Sequence, residues 1–255
     1  METMDHSTFS AVYNMLSLGI ASMLFTSIFL WVARDRVLPK YRLAVMVSAT
    51  VTSIAAYHYF RMFDSFKAYE TMTTNDAFLH YNVGYRYVDW FLTVPLLLVE
   101  LVAVMGLAGA VQSSLLKRLV PAAALMIALG YPGDMKLGGL PASVWGLLST
   151  IPFLYILYVL FVEISKSLKD QSPAVRKILS GARLLLIASW GVYPITFILA
   201  MNSTVAPTAA EVASREIGYS IADIVAKCIF GLMIFAVARI KSAEESKEFA
   251  AAEGH

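Results

Sequence analysis

The chain has 255 residues, of which 58% are hydrophobic and only 15% charged, and its mean hydropathy is +0.67. Soluble domains carry about 45–50% apolar and about 25% charged residues, so an ordinary water-soluble fold is excluded, and a formal charge of +2 points to no nucleic-acid partner. The lone cysteine, Cys228, excludes an intrachain disulfide, and the opening "METMDHSTFS" lacks the basic segment of a cleavable signal peptide.

Seven apolar spans separated by short polar loops follow in order. The first, residues 10–33, has no charge, and the second, 43–60, contains only His58. The third is 86–100, "RYVDWFLTVPLLLVE". The fourth, 119–131, is short for a crossing that needs about 20 residues, and it lengthens backward if Lys117 and Arg118 snorkel to the interface. The fifth runs 137–162, the sixth 184–201 and the seventh 217–238. The reading is an all-α, integral membrane bundle of seven helices, one domain over residues 1–255, in contact with a lipid bilayer.

Orientation follows from the basic residues. The loops after spans one, three and five, with the C-terminal tail from about 240, hold Arg34, Arg36, Lys40, Arg42, Lys117, Arg118, Lys166, Lys169, Arg176, Lys177, Arg183, Arg239, Lys241 and Lys247. The opposite loops hold Arg61, Lys67, Lys136 and Arg215. The positive-inside rule puts the first set and the C-terminus in the cytoplasm and a short N-terminus outside.

Ionisable groups inside a bilayer are costly and usually functional. Asp89 and Glu100 are eleven residues apart, about 20° around a helix axis and about 16 Å along it. Thr93 lies one turn after Asp89 and Arg86 one turn before, so span three carries a polar line Arg86, Asp89, Thr93, Glu100. Packing on polar neighbours accounts for Thr93, but poorly for a carboxylate near each end of an apolar face. Glu100 stands among Leu96, Leu97, Val99 and Leu101 and is expected to hold a proton, whereas Asp89 faces cations and is expected to be ionised. Span seven repeats the pattern, with Asp223 and Lys227 four apart. A lysine in mid-span costs about 3 kcal/mol on insertion scales, and its amine can condense with an aldehyde to a Schiff base. Arg86, Asp89, Asp223 and Lys227 sum to zero charge, which favours burying them together.

"RYVDWFLTVPLLLVE" and "GYSIADIVAK" closely resemble helices three and seven of the microbial rhodopsins, and "SWGVYPITF" looks like their sixth helix. Within that family the chain looks most like the proton pumps of the proteorhodopsin and xanthorhodopsin branches, with "IAAYHYFRMF" and "WGLLSTIPFLYILYVL" pointing to the xanthorhodopsin side. The resemblance implies a light-driven outward proton pump of the cell membrane, a transporter rather than an enzyme, with all-trans retinal as a protonated Schiff base on Lys227. Asp89 would be the counterion and primary proton acceptor, Asp223 the second counterion, Arg86 their support and Glu100 the cytoplasmic proton donor. His58 would hydrogen-bond the acceptor. Trp90, Trp190, Tyr193, Pro194 and Phe197 would enclose the polyene, and Leu97 would occupy the colour-tuning position, where leucine goes with green absorption. Arg215 stands where a release carboxylate is expected, and neither Glu211 nor Glu216 is assigned. A homo-oligomer, trimer or pentamer, is also implied.

Other readings are weaker. Chloride pumps of the family replace the acceptor carboxylate, and sodium pumps use a triad with amides. A sensory photoreceptor signalling through a partner often lacks a carboxylic donor, and a non-photochemical seven-helix receptor leaves Lys227 unexplained. Gly146, in "SVWGLLSTIPF", has two readings. A small residue lets helices approach closely, although glycine in a helix costs roughly 1 kcal/mol against alanine. The resemblance instead implies a lateral opening where a hydroxylated carotenoid could lie and pass energy to retinal.

Overall fold

The computed structural model describes residues 3–135, 137, 139–201 and 208–252, without the side chains of 197–201 and 252. Seven of its helices are long and apolar enough to cross a membrane: α1 (His6–Arg36), α2 (Pro39–Thr71), α3 (Gly84–Val104), α4 (Gly109–Asp134), α5 (Ala142–Leu168), α6 (Pro173–Thr196) and α7 (Ala209–Glu245). No β-strand forms among the described residues; one isolated bridge joins Thr3 to Thr73. Consecutive helices pack side by side, α7 closes the ring on α1, and α7 also touches α2 and α3 across the interior.

The bundle holds a buried set of charges inside an otherwise apolar core and shows an apolar surface outside. Phe25, Val32, Leu147 and Ile151 stand exposed on the outer surface, while Arg86, Asp89, Glu100, Asp223 and Lys227 are buried. A bilayer reverses the soluble rule in this way, because lipid solvates apolar groups and charges must find partners among the helices.

Most helices extend beyond their apolar stretches, for local reasons. Asp5 caps α1 through the Thr8 amide at 3.0 Å, and Pro39 and Pro173 occupy first-turn positions of α2 and α6, where a missing N–H costs nothing. Thr208 and Glu211 form a reciprocal capping box, with contacts of 2.7 and 3.2 Å, so Glu211 serves the start of α7. Span four, expected at 119–131, begins at Gly109: Lys117 lies exposed, and Arg118 makes a two-pronged pair with Glu163 of α5 at 2.8 and 2.7 Å. Span five, expected from 137, begins at Ala142, because Gly139 has φ +71° and Pro141 precedes the first turn.

Two helices contain a π-helical turn, Val159–Glu163 in α5 and Ile224–Ile229 in α7. At the first, Arg183 of α6 donates to the Leu160 carbonyl at 2.8 Å and to Ser165 Oγ at 2.7 Å. Arg183 and Lys241, expected in a loop and in the tail, are therefore buried in the bundle, and Arg215 is mostly buried as well. Lys136 lies outside the described residues.

Candidate functional site

The second π-helical turn carries Lys227 into the centre of the bundle, where its side chain is fully buried. Its amine pairs with Asp89 of α3 and with Asp223 of α7, the latter at 3.0 Å. The two carboxylates differ sharply in company. Asp223 also accepts from Tyr59 Oη at 2.9 Å, Arg86 Nη1 at 3.2 Å, Trp90 Nε1 at 3.3 Å and Tyr193 Oη at 2.8 Å. Asp89 has the amine on one oxygen, while its Oδ1 is buried without a hydrogen-bond partner. One carboxylate is anchored by five donors and the other by one.

Arg86 extends the cluster toward the N-terminal end of α3. Its Nη2 donates to Glu216 of α7 at 2.6 Å, and Glu216 also accepts from Tyr81 Oη at 2.7 Å and lies 3.4 Å from Arg215 Nε. The sequence groups four ions here, and the structure groups six: Arg86, Arg215 and Lys227 against Asp89, Asp223 and Glu216, again neutral. Neutrality together with dense hydrogen bonding makes such burial tolerable.

Glu100 stands apart at the other end of α3. It is wholly buried, Ser48 of α2 donates to Oε2, and Oε1 has no partner. Thr93, between the carboxylates, donates to the Asp89 main-chain carbonyl at 2.8 Å and not to its carboxylate. His58 is buried in α2, but its described hydrogen bond runs from Nδ1 to the Ile54 carbonyl at 2.9 Å. No hydrogen bond from His58 to Asp89 is found among the described residues, and its Nδ1 is engaged by the backbone of its own helix.

Beside the cluster lies a cavity of about 330 Å³, within the range of about 300–1,000 Å³ of small-ligand sites. Trp90, Trp190, Tyr193 and Pro194 line it, as the sequence led one to expect, and so does Gly146. Tyr87, Met126, Phe153 and Tyr219 are among its other lining residues and are not legible in the sequence, since no spacing within one helix links them to Lys227. Leu97 is buried in the core but does not line it, and the side chain of Phe197 lies outside the described residues. Trp90 and Tyr193 face both ways, lining the cavity and donating to Asp223. Lys227 itself does not line the cavity; Trp90 and Tyr193 form a shared wall between that space and the ion cluster. The cavity rim includes Leu147, 66% exposed, so the space reaches the outer surface of α5.

The sequence matches the family described as bacteriorhodopsin-like protein over residues 10–241. It is 31% identical to the blue-light absorbing proteorhodopsin of Gamma-proteobacterium Hot 75m4 over 220 residues, 86% of this chain and 82% of that protein. Among solved structures it is similar to xanthorhodopsin, described as a light-driven ion pump with dual chromophore, at 42% identity and a TM-score of 0.87, covering 96% of this chain and 98% of that one. It is likewise similar to thermophilic rhodopsin, at 42% identity and a TM-score of 0.88, covering 96% of this chain and all of that one (100%).

Proposed function

This chain belongs to the bacteriorhodopsin-like family of microbial rhodopsins, in the proteorhodopsin and xanthorhodopsin branch, and from that membership we propose that it is a light-driven outward proton pump with all-trans retinal joined to Lys227. It is a multi-pass protein of the cell membrane, and the distribution of basic residues along the sequence supports an N-terminus outside. The observation that carries the proposal is the buried Lys227 amine held between Asp89 and Asp223, with Trp90 and Tyr193 joining that cluster to an aromatic cavity.

When bound, retinal supplies a cationic imine nitrogen, for which the free amine stands here, and a double bond that light isomerises. The remaining work falls to side chains. Asp89 has a single charged partner and a second oxygen left without one, so it would be the carboxylate to take up the proton given up by the nitrogen on Lys227. Asp223 keeps four other donors and persists as the second counterion. Arg86 links this pair to Glu216 on the outward side. Glu100, with no cation beside it among the described residues and Ser48 fixing one oxygen, stores the proton that restores the site from the cytoplasmic side.

Cells expressing the chain with all-trans retinal should colour and acidify their medium in light, and a protonophore should abolish the acidification. Colour without proton movement would favour the sensory reading. Glu100→Gln should leave colour nearly unchanged but slow the late photocycle, on the order of 10²-fold for loss of a positioned proton donor. Azide, a diffusible proton carrier, should restore part of the rate. A parental late phase near neutral pH would remove Glu100 from the donor role.

The proposal extends to a hydroxylated carotenoid at Gly146, supported by the cavity's reach to the outer face of α5. Carotenoid-bound protein should then pump in the carotenoid's blue bands, and Gly146→Trp should lose that activity while keeping pumping at retinal's own wavelength. The comparison is an action spectrum of each. If blue light absorbed by carotenoid drives no extra pumping in the parent, Gly146 is a packing residue alone.

A further inference from the structure

At the Glu100 end of the bundle α7 is fastened to the connections around it. In the α1–α2 connection the Leu38 amide donates to Ser242 Oγ at 2.8 Å. At the start of α2, Tyr41 Oη donates to Glu245 Oε1 at 2.6 Å, and Lys40 pairs with the same carboxylate. Lys241 is fastened differently. It is only 7% exposed, and its amine donates to the Met105 carbonyl at 2.7 Å and to Gln171 Oε1 at 2.8 Å. Gln171 Nε2 returns a 3.3 Å bond to that same carbonyl. One lysine thus joins the α3–α4 and α5–α6 connections to α7. Among the described residues no carboxylate lies within ion-pairing distance of it.

A buried ammonium held by neutral oxygens is an expensive way to anchor a helix end, and its place gives it a use. Met105 lies five residues beyond Glu100, about 7.5 Å along the helix. The next residue, Gly106, turns the chain back with φ +64°, and a Cβ there would stand 3.4 Å from both Lys241 Nζ and Tyr41 Oη. Leu101 and Val104, which lie between Glu100 and Met105 in sequence, are fully buried. Glu100 has to regain a proton from this side, yet the knot seals it.

We propose that Lys241 is a positioning residue that closes the mouth above Glu100 and sets how fast Glu100 is refilled from the cytoplasm. The proposal rests on the pumping reading. Releasing the amine from Met105 and Gln171 frees both connections at once and admits water toward the donor.

The test uses the full chain with retinal in lipid nanodiscs. Lys241→Met keeps the stem and removes the donors, and Lys241→Arg keeps N–H donors. In the dark, backbone amides of 103–108 and 168–172 should exchange with deuterium about tenfold faster in Lys241→Met, the factor for roughly one net hydrogen bond. After a flash, the final proton uptake should speed severalfold, with protonation of Asp89 unchanged. Lys241→Arg should match the parent in both. Exchange at the parental rate would overturn closure by Lys241. Faster exchange with final uptake at the parental rate would reduce Lys241 to a structural anchor, which also overturns the proposal. If Lys241→Met does not fold, Gln171→Leu, which removes one acceptor at a surface loop, carries the same comparison. A parent without light-driven uptake would sink the pumping reading, while the exchange arm still decides whether Lys241 holds the mouth shut.

Discussion

Lys227→Ala, reconstituted with all-trans retinal, should yield protein with no visible absorption band. The chain has nine other lysines, and none of the eight that are described lines the aromatic cavity. The variant also strands Asp89 and Asp223 without their shared cation, and removing one partner of a buried pair costs about 3–5 kcal/mol. A colourless sample could therefore reflect misfolding. Lys227→Arg separates the two causes, because it keeps a cation between the carboxylates but cannot form an imine. It should be folded by circular dichroism and equally colourless. A visible, covalently bound pigment in either variant would sink the assignment of Lys227.

Asp89→Asn should shift absorption to the red and stop transport, a loss on the order of 10²-fold or more for a missing proton acceptor. The shift has a simple electrostatic origin. A carboxylate beside a cationic nitrogen stabilises charge localised there, and light moves that charge along the polyene. Removing the carboxylate lowers the gap. The contrast with Asp223 sharpens the test. Asp223→Asn leaves Tyr59, Arg86, Trp90 and Tyr193 converging on a neutral amide, so that variant should lose protein yield and thermal stability as well as colour. Asp89→Asn should lose less stability than Asp223→Asn, since only the amine contacts that carboxylate and the amine keeps Asp223. Net pumping at the parental rate in Asp89→Asn, measured as light-driven pH change, would assign the acceptor elsewhere.

What the sequence discloses here is what lies on one helix. The eleven-residue step from Asp89 to Glu100 and the four-residue step from Asp223 to Lys227 are periodicities of single elements, and both recur in the structure as aligned, buried side chains. What it hides is which helices meet at which height. Ser48 is an ordinary serine in an apolar stretch until α2 lies against α3 and brings it to Glu100. Tyr59 adjoins His58, and the pattern favoured the histidine; the tyrosine is the neighbour that reaches Asp223. Glu216 could have been found, because it lies seven residues, two turns, before Asp223 and hence on the same face of α7. Helix ends were under-read wherever a charge had a partner elsewhere in the fold, as with Arg118 on Glu163 and Arg183 on the Leu160 carbonyl. Hydropathy treats such residues as lost to water, whereas the bundle satisfies them.

The spacing of Glu100 and Asp89 on α3 also has an electrical meaning. About 16 Å of helix is roughly half of a ~30 Å hydrocarbon core, so about half of any transmembrane voltage falls between the proposed donor Glu100 and the proposed acceptor Asp89. A unit charge driven against 100 mV across the whole membrane requires about 2.3 kcal/mol. This one segment then bears about 1.2 kcal/mol of it, close to tenfold in the equilibrium. As the cell charges its membrane, the refilling stroke along α3 meets the steepest opposition. On the proposed pumping role, the voltage the protein builds would act as its own governor, throttling output when the cell is fully energised and releasing it when the gradient is spent.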